Sequence, residues 1–353
     1  MSKYCIQRLK NIEGYTPGEQ PKETDVIKLN TNENPFPPPE AVHQTLKEII
    51  PEQLRKYPDP AAFELRKKIA QTYNLPGPEW VLAGNGMDEI LSIAIRTFVE
   101  YNQTISATYP TYSLYEVLAS LHGCNFHYQD LDEHFQLSPP FAWKNSKLIL
   151  ITHPNAPSGV PTPPDIMKGI CKNQEQVIFI DEAYVDFCEY NYISWVKDYP
   201  NLIVGRTFSK SFSLAGVRLG FTAANPELIS DMFKVKDSYN INSITQIIGI
   251  KSLECISQVS TNIEKIKESR VFLRDELQKL GFIVPDSQSN FLLAIWNGNP
   301  SAKELYLRLK ENNIYVRYFP IRRLENALRI TIGTKQQSVI FLEQLVKIIH
   351  SNK

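Results

Sequence analysis

Lys210 is the first candidate for chemistry, because it stands alone in a stretch of small and hydroxyl-bearing residues, GRTFSKSFSLAG, at 205–216. No acidic residue lies near it in the sequence. A close carboxylate would favour the protonated amine, so its absence suits an amine that acts as a nucleophile. Taken alone, a lysine on a loop is more often an ordinary surface charge.

Three further features adjoin apolar runs. Asp181 directly follows VIFI, Gly84-Asn85-Gly86 precedes a helical pattern, and Arg218 follows the lysine segment. Each has a plain structural explanation, since an aspartate can cap a turn and glycines are common where a strand leads into a helix. A helix N-terminus also offers backbone N–H groups to a phosphate.

Together these groups match what pyridoxal 5'-phosphate needs from a protein. A lysine amine forms a Schiff base with its aldehyde, and a carboxylate keeps its pyridine nitrogen protonated so that the ring accepts electrons. Hydroxyls, an arginine and a helix N-terminus can hold the phosphate. The combination is far more specific than any one of its members.

The elements that must position these groups follow from the hydrophobic pattern. The runs at Leu148–Ile151, Val177–Ile180 and Leu202–Val204 are continuously apolar, as in parallel strands covered on both faces. The intervals leave room for crossover helices such as PDIMKGICKNQ. We therefore predict an α/β fold with an open, mostly parallel sheet that binds its ligand where the strands end.

The 353 residues suggest two domains. We predict a large cofactor-binding domain at 33–255. The N-terminal arm, 1–32, and the C-terminal segment, 256–353, would form a small α+β domain. In that segment FIVPDSQSNFLLAIW, IYVRYFP and ALRITIGT predict strands, and SAKELYLRLKENN and QQSVIFLEQLVKIIH predict helices.

Composition argues against several classes of protein. With 38 basic and 38 acidic residues the net charge is zero, which gives no case for binding nucleic acid or an anionic membrane. No apolar run reaches membrane-spanning length or indicates a signal peptide. The five cysteines are widely and irregularly spaced, which disfavours a disulfide framework or a zinc cluster. We expect no metal site and a cytoplasmic location.

The segment TFSKSFSLAGVRLGF resembles the pyridoxal-phosphate lysine motif of class-II aminotransferases. LNTNENPFPPP, RKYPDP, GNGMDE, YPTYSLY, PNAPSG, DEAYVDF, VRYFP and LRITIGT follow in the order seen in histidinol-phosphate aminotransferases, from about Tyr15 to Thr334. The resemblance implies fold type I, with a mostly parallel central sheet between helices and a smaller α+β domain. It also implies a homodimer with shared active sites.

Roles in cofactor binding are implied by the same resemblance. Lys210 would be the Schiff-base lysine and proton carrier, and Asp181 would pair with the pyridinium. Tyr184 would bind the ring hydroxyl, and Tyr112 is similar to the aromatic residue that stacks on the ring. The phosphate would be held by the backbone of Met87 and Asp88, the side chains of Thr207, Ser209 and Arg218, and Tyr57 of the neighbouring subunit.

Arg329 matches the arginine that clamps the substrate carboxylate in these enzymes, and Arg317 matches a second arginine typical of histidinol-phosphate aminotransferases. Tyr15 and Tyr239 are similar to tyrosines near the substrate. Two arginines suit a site that takes a phosphate monoester in one half-reaction and glutamate in the other. The expected reaction is ping-pong transamination of L-histidinol phosphate and 2-oxoglutarate to imidazole-acetol phosphate and L-glutamate, in histidine biosynthesis.

One motif departs from the family pattern. The family commonly shows N-P-N-N-P-T-G, in which the asparagine before P-T-G binds the ring hydroxyl, whereas this chain has HPNAPSG. Ala156 occupies that position, and Asn155 is expected to be structural. Tyr184 should then carry more of the contact, and His153 is expected to be a turn residue.

Three alternatives stay open from the sequence. An aromatic amino acid aminotransferase would use Arg329 in the same way. A threonine-phosphate decarboxylase is disfavoured, because NTNENPF stands where that group carries an H-G-G-N-like motif. A non-catalytic α/β binding protein is disfavoured by the intact lysine, aspartate and arginine set.

Overall fold

The computed structural model describes residues 2–23, 25–143, 145–172 and 175–351. Within these ranges the strands are β1 (Ile27–Lys28), β2 (Val81–Gly84), β3 (Thr104–Tyr109), β4 (Asn125–Asp130), β5 (Ser146–Thr152), β6 (Val177–Asp181), β7 (Leu202–Thr207), β8 (Gly220–Ala224), β9 (Phe291–Ile295), β10 (Ile314–Tyr315), β11 (Arg317–Tyr318) and β12 (Ala327–Thr331).

The α-helices of the same ranges are α1 (Glu40–Lys47), α2 (Pro51–Leu54), α3 (Phe63–Thr72), α4 (Met87–Phe98), α5 (Leu114–His122), α6 (Pro164–Cys171), α7 (Pro226–Val235), α8 (Ser243–Glu254), α9 (Ile256–Lys279), α10 (Ala302–Glu311) and α11 (Lys335–His350). Short 3₁₀ helices occur at Gln7–Asn11, Pro78–Trp80, Val185–Phe187, Ile193–Lys197 and Ala215–Val217.

Among the described residues, seven strands form the central sheet, in the order β2-β8-β7-β6-β5-β3-β4. The pairs from β4 through β7 are parallel, and β8 runs antiparallel to both β7 and β2. The prediction of a mostly parallel sheet is confirmed. Sequence reasoning missed β3, β4 and β8, because β4 is a polar edge strand and β8 consists largely of small residues.

Apolar clusters cover both faces of this sheet, which explains its continuously apolar strands. On β6, Phe179 packs into one cluster while its neighbours Ile178 and Ile180 pack into the other. Burial of each such side chain contributes roughly 1.5–3 kcal/mol. In register, Thr152 lies beside Asp181, and Asp181 beside Gly205, so the carboxyl ends of β5, β6 and β7 meet at one edge.

The C-terminal part of the chain forms the predicted α+β unit. An antiparallel sheet has the order β11-β12-β9, and β1 of the N-terminal arm pairs with β10. This pairing agrees with an arm that joins the C-terminal segment. The division at 33–255 against 1–32 and 256–353 stays a prediction.

Some local predictions differ from the structure. The proline-rich segment PEQLRKYPDP, for which no helix was predicted, contains the one-turn helix α2, which Pro51 opens at a position where proline is tolerated. The predicted crossover helix ends at Cys171 as α6, and Asn173 and Gln174 lie outside the described residues. Among the helices described, none has the length and apolar character needed to span a membrane.

Candidate active site

A cavity of about 370 Å³ opens where the central strands end and is closed from the other side by the C-terminal sheet and the N-terminal arm. Twelve of the fourteen predicted site residues line it: Tyr15, Met87, Asp88, Tyr112, Asp181, Tyr184, Thr207, Ser209, Lys210, Arg218, Arg317 and Arg329. Residues that are distant in sequence are therefore brought to one place.

The cavity has two halves, which are formed by different parts of the chain. The strand-end half consists of the residues around the carboxyl ends of β6 and β7 and the start of α4, with Asp181 and Lys210 at its centre. The arginine half consists of Tyr15 from the N-terminal arm with Arg317 and Arg329, which face each other across β11 and β12.

Asp181 is buried at the end of β6. Its Oδ2 accepts a hydrogen bond from the Tyr115 hydroxyl at 2.7 Å, and its Oδ1 accepts one from the Ala183 backbone N–H at 3.1 Å. Burial raises the pKa of Asp181 to about 6, while these two donors act in the opposite direction. The carboxylate is thus fixed in orientation while lining the cavity.

Lys210 is partly buried, and its Nζ donates to the Thr31 carbonyl at 3.1 Å and lies 5.7 Å from the Tyr184 ring centre. Burial lowers the pKa of Lys210 to about 8, and the Arg329 guanidinium adds to this effect. Glu33 opposes it, which corrects the idea that no carboxylate influences this amine. The net result is an amine that loses its proton far more readily than a surface lysine.

The start of α4 forms the corner that was predicted to hold a phosphate. Gly86 has φ of 84°, a left-handed backbone conformation that favours glycine, and a Cβ there would lie 2.5 Å from an Arg218 nitrogen unless that side chain moved. Arg218 reaches Asp88 at 3.3 Å, which places its guanidinium beside the first turn of α4. A cationic group and free helix N–H groups at one point favour an anion.

The hydroxyls of Thr207 and Ser209 lie at the same corner of the cavity. Thr207 Oγ1 and Ser209 Oγ are 3.0 Å apart, and the Ser209 backbone N–H donates to Thr207 Oγ1 at 3.1 Å. Both residues are buried and both line the cavity. They add hydroxyl groups to the cavity that Arg218 also lines, and their predicted role in holding a phosphate stays a prediction.

Aromatic side chains form the walls. Tyr112 packs edge-on against Tyr15, with ring centres 5.6 Å apart, and its hydroxyl donates to Asp88 at 3.3 Å. The Tyr184 hydroxyl accepts a hydrogen bond from the Asn32 side chain at 3.0 Å. These contacts fix the rings without filling the space between them.

Arg317 and Arg329 make hydrogen bonds only to backbone carbonyls among the described residues. Arg317 donates to Thr16 and Pro17, both at 3.3 Å. Arg329 donates to Asn30 at 3.0 Å, and its Nε is buried without a partner in the part of the chain described. Burial lowers the pKa of Arg329, and Arg317 adds to this, so the pair of guanidiniums would gain from an anionic ligand.

Tyr57 and Tyr239 do not line this cavity. Their rings stack on each other, 4.5 Å apart, and 81% of Tyr57 and 47% of Tyr239 are exposed. The predicted role of Tyr57 concerns a neighbouring subunit, which a single chain cannot test. The predicted role of Tyr239 near the substrate also stays a prediction.

The motif HPNAPSG, which departs from the family pattern, has a well-defined local structure. The Asn155 amide donates to the Pro110 carbonyl at 3.1 Å, and its oxygen accepts from the Ser158 hydroxyl at 2.7 Å, which supports a structural role. Ala156 lines the cavity. His153 is fully buried between Tyr190 and Tyr192, and burial lowers its pKa to about 4. His153 is thus a neutral structural group.

Sequence reasoning missed several residues of the site. Asn32 orients Tyr184, the Thr31 carbonyl receives Lys210, and Tyr115 and Thr152 lie behind Asp181. Asn32 and Tyr115 belong to the motifs LNTNENPFPPP and YPTYSLY. The motifs were therefore visible, but the contacts that give these two side chains their roles were not.

Comparisons with known proteins give one consistent result. The family model described as aminotransferase class I and II matches residues 24–345. A histidinol-phosphate aminotransferase of Rippkaea orientalis is 41% identical over 342 residues, which cover 96% of this chain and 96% of the relative. One of Clostridium botulinum is 41% identical over 355 residues, which cover 99% of both chains.

Among solved structures, the chain resembles the histidinol-phosphate aminotransferase of Sinorhizobium meliloti in complex with pyridoxal 5'-phosphate. The TM-score is 0.86 at 21% identity, over 93% of this chain and 92% of that one. This likeness shows the fold and confirms the predicted α/β class.

Proposed function

The chain belongs to the class I and II aminotransferase family, and we propose that it transfers the amino group of L-histidinol phosphate to 2-oxoglutarate. The products would be imidazole-acetol phosphate and L-glutamate, in histidine biosynthesis. The names of relatives about 40% identical over nearly the whole chain support this donor. The observation that carries the proposal is the meeting of a readily deprotonated lysine, Lys210, with two arginines in one cavity.

The strand-end half fits pyridoxal 5'-phosphate by the chemistry of its groups. A buried carboxylate, a lysine with a lowered pKa, and an arginine beside a helix N-terminus line this half of the cavity, whose total volume is about 370 Å³. When bound, this cofactor supplies an electron sink for negative charge on the substrate carbon. We propose that Asp181 pairs with its ring nitrogen, and that Thr207, Ser209, Arg218 and the first turn of α4 hold its phosphate.

Lys210 would act on the substrate through its Nζ. The same features that lower its pKa to about 8 would let the amine hold the cofactor and, once released, take the proton from the substrate α-carbon and pass it to the cofactor carbon. Tyr112 would stack on the cofactor ring, and Tyr184 would bind the ring hydroxyl. Asn32 holds the Tyr184 hydroxyl by a hydrogen bond of 3.0 Å, so this contact is prearranged.

The arginine half would bind the anionic groups of both substrates. Arg329 would clamp a carboxylate and Arg317 the phosphate of histidinol phosphate or the second carboxylate of glutamate. Both guanidiniums now donate to neutral carbonyls at 3.0–3.3 Å. An anion makes stronger, charge-assisted hydrogen bonds, so it can displace these carbonyls. We propose Tyr15 and Tyr239 as further substrate neighbours.

We further propose a homodimer in which Tyr57 reaches the phosphate of the neighbouring subunit. The large exposed area of Tyr57, 81% of the residue, and its distance from the cavity of its own chain support this arrangement. A cytoplasmic location also stays a proposal, supported by five cysteines that are all unpaired.

A half-reaction screen tests the proposed function. Yellow protein loaded with pyridoxal 5'-phosphate would be mixed separately with histidinol phosphate, phenylalanine or tyrosine, and conversion to the pyridoxamine form followed by absorbance. We expect histidinol phosphate to react with the highest efficiency. A clear preference for phenylalanine would favour an aromatic aminotransferase instead, and a protein that stays colourless with added cofactor would contradict the enzyme assignment.

A further inference from the structure

Tyr115 lies behind the cavity, fully buried, and does not line it. Its hydroxyl is 2.7 Å from Asp181 Oδ2 and 2.8 Å from Thr152 Oγ1. Thr152 Oγ1 is in turn 3.2 Å from Thr111 Oγ1, and both threonines line the cavity. Three hydroxyls thus form a chain that ends at the carboxylate.

The direction of this chain follows from the charge of its last member. An ionised carboxylate can only accept hydrogen bonds, so Tyr115 must donate its single hydroxyl hydrogen to Asp181. The Tyr115 oxygen can then only accept from Thr152, and Thr152 in turn accepts from Thr111. With Asp181 ionised, all three hydroxyls point towards it. A protonated Asp181 would remove this fixed order.

Apart from its hydrogen-bond donors, the surroundings of Asp181 mostly favour the protonated carboxyl group. Burial raises its pKa, and the carboxylates of Asp88 at the start of α4 and of Glu182 next to it act in the same direction. Glu182 is itself paired with Arg206 at 2.8 Å, and Asp88 with Arg218 at 3.3 Å. The donors that oppose these effects are Tyr115 and the Ala183 N–H.

We propose that Tyr115 is a positioning residue, which keeps the Asp181 carboxylate ionised and in a fixed plane at the cavity wall. This inference rests on the proposed pairing of Asp181 with the cofactor nitrogen. A neutral or rotated carboxyl group would pair weakly with a protonated ring nitrogen. Tyr115 would therefore act on cofactor binding and on rate without touching the cofactor.

The test compares two variants that each remove one buried hydroxyl. Tyr115→Phe deletes the donor to Asp181. Tyr192→Phe is the matched control, because Tyr192 is also buried but donates to the Thr162 carbonyl. The dissociation constant of pyridoxal 5'-phosphate would be measured by absorbance titration of cofactor-free protein between about pH 5 and pH 8, with thermal unfolding of each variant in parallel.

We expect Tyr115→Phe to weaken cofactor binding about 10- to 100-fold, the usual effect of losing a hydrogen bond to a charged group. Binding should also weaken as the pH falls, and this acid limb of the plot of cofactor affinity against pH should move to higher pH in the variant. The Tyr115 hydrogen bond lowers the pKa of Asp181, so without it the carboxylate takes up its proton at a higher pH. Tyr192→Phe should lower thermal stability and leave the limb in place.

A second pair of variants tests the role of Tyr115 if Tyr115→Phe does not fold. Thr152→Val removes the hydroxyl that donates to Tyr115, whereas Thr152→Ser keeps it. The acid limb should move towards higher pH in the valine variant, by less than in Tyr115→Phe, and stay in place in the serine variant. Equal limbs in these two variants, or a folded Tyr115→Phe protein with the wild-type limb, would overturn the inference.

These outcomes are separate from the fate of the proposed function. A wild-type protein that binds the cofactor and transaminates, combined with an unmoved limb in Tyr115→Phe, would overturn only the role of Tyr115. A wild-type protein that neither binds pyridoxal 5'-phosphate nor transaminates would overturn the proposed function, and this inference with it.

Discussion

The two halves of the cavity hold their charged groups in different ways. In the strand-end half, Asp181 is held by the Tyr115 side chain and Arg218 by the Asp88 side chain, while Lys210 donates to the Thr31 backbone carbonyl. In the arginine half, Arg317 and Arg329 donate to backbone carbonyls, and Arg329 Nε has no partner in the described part of the chain. The charged groups of the strand-end half are therefore prearranged, whereas the hydrogen-bonding capacity of the arginine half is incompletely satisfied.

This difference suits the proposed division of work. A cofactor that stays bound through each turnover requires groups fixed in one geometry, which the ends of β6 and β7 provide. Two substrates that enter in turn require charges that can exchange one partner for another. Carbonyl oxygens are weaker partners for a guanidinium than carboxylate or phosphate, so they can give way. Changes in the first half should therefore affect every substrate, and changes in the second should depend on the substrate.

The largest effect is expected from Lys210→Ala, which breaks the strand-end half at its centre. Losing the group that moves the proton should reduce transamination at least about 1,000-fold with every amino donor. The yellow absorbance should be lost as well. Lys279→Ala is the control, since Lys279 is an exposed lysine paired with Glu276 at 2.6 Å, and it should react at the wild-type rate. A loss limited to one donor would contradict the assignment of Lys210.

Arg317→Ala tests the arginine half and should have a smaller, selective effect. We expect kcat/KM for histidinol phosphate to fall about 10- to 100-fold, because a hydrogen-bonded charge pair with its phosphate is lost. For phenylalanine, which carries no second anionic group, the change should stay within roughly threefold. Steady-state kinetics with both donors measures the difference.

The control for this variant is Arg274→Ala, which removes an arginine paired with Asp275 at 2.9 Å outside the cavity. It should change neither donor's kcat/KM. Equal losses for both donors in Arg317→Ala would mean that this arginine supports the N-terminal arm, through the Thr16 and Pro17 carbonyls, more than it binds the phosphate.

The sequence predicted the residues of the strand-end half unequally. Lys210, Asp181 and Arg218 were found because their residue types and their places after apolar runs already describe a chemistry. Tyr115 could not be found in that way, since a tyrosine at helical spacing looks like any core aromatic residue. Its role depends on Asp181, 66 residues further along the chain. Such contacts arise only when α5, which carries Tyr115, packs against the sheet that sets β5 beside β6.

The fold, like the site, could be predicted from the sequence only in part. Continuous apolar runs predicted β5, β6 and β7, because strands buried on both faces need apolar residues at every position. The edge strand β4 alternates exposed and half-buried positions, so it carried no such signal. Tyr57 marks a further limit, because its predicted role involves a neighbouring subunit, which the contacts within one chain do not test.

The smallest effect is expected from Ala156→Asn, which adds a donor to the strand-end half at the position where the family commonly has asparagine. Ala156 lines the cavity, so the larger side chain has space on that side. One added hydrogen bond to the ring hydroxyl should tighten cofactor binding about three- to tenfold, from a net gain of roughly 0.5–1.5 kcal/mol.

Ala156→Leu is the control, because leucine has a similar branched shape and no donor. Titration of cofactor-free protein would measure both variants. If the asparagine variant binds no more tightly than the leucine variant, then Tyr184, oriented by Asn32, already satisfies the hydroxyl, and the strand-end half is complete without the family's asparagine.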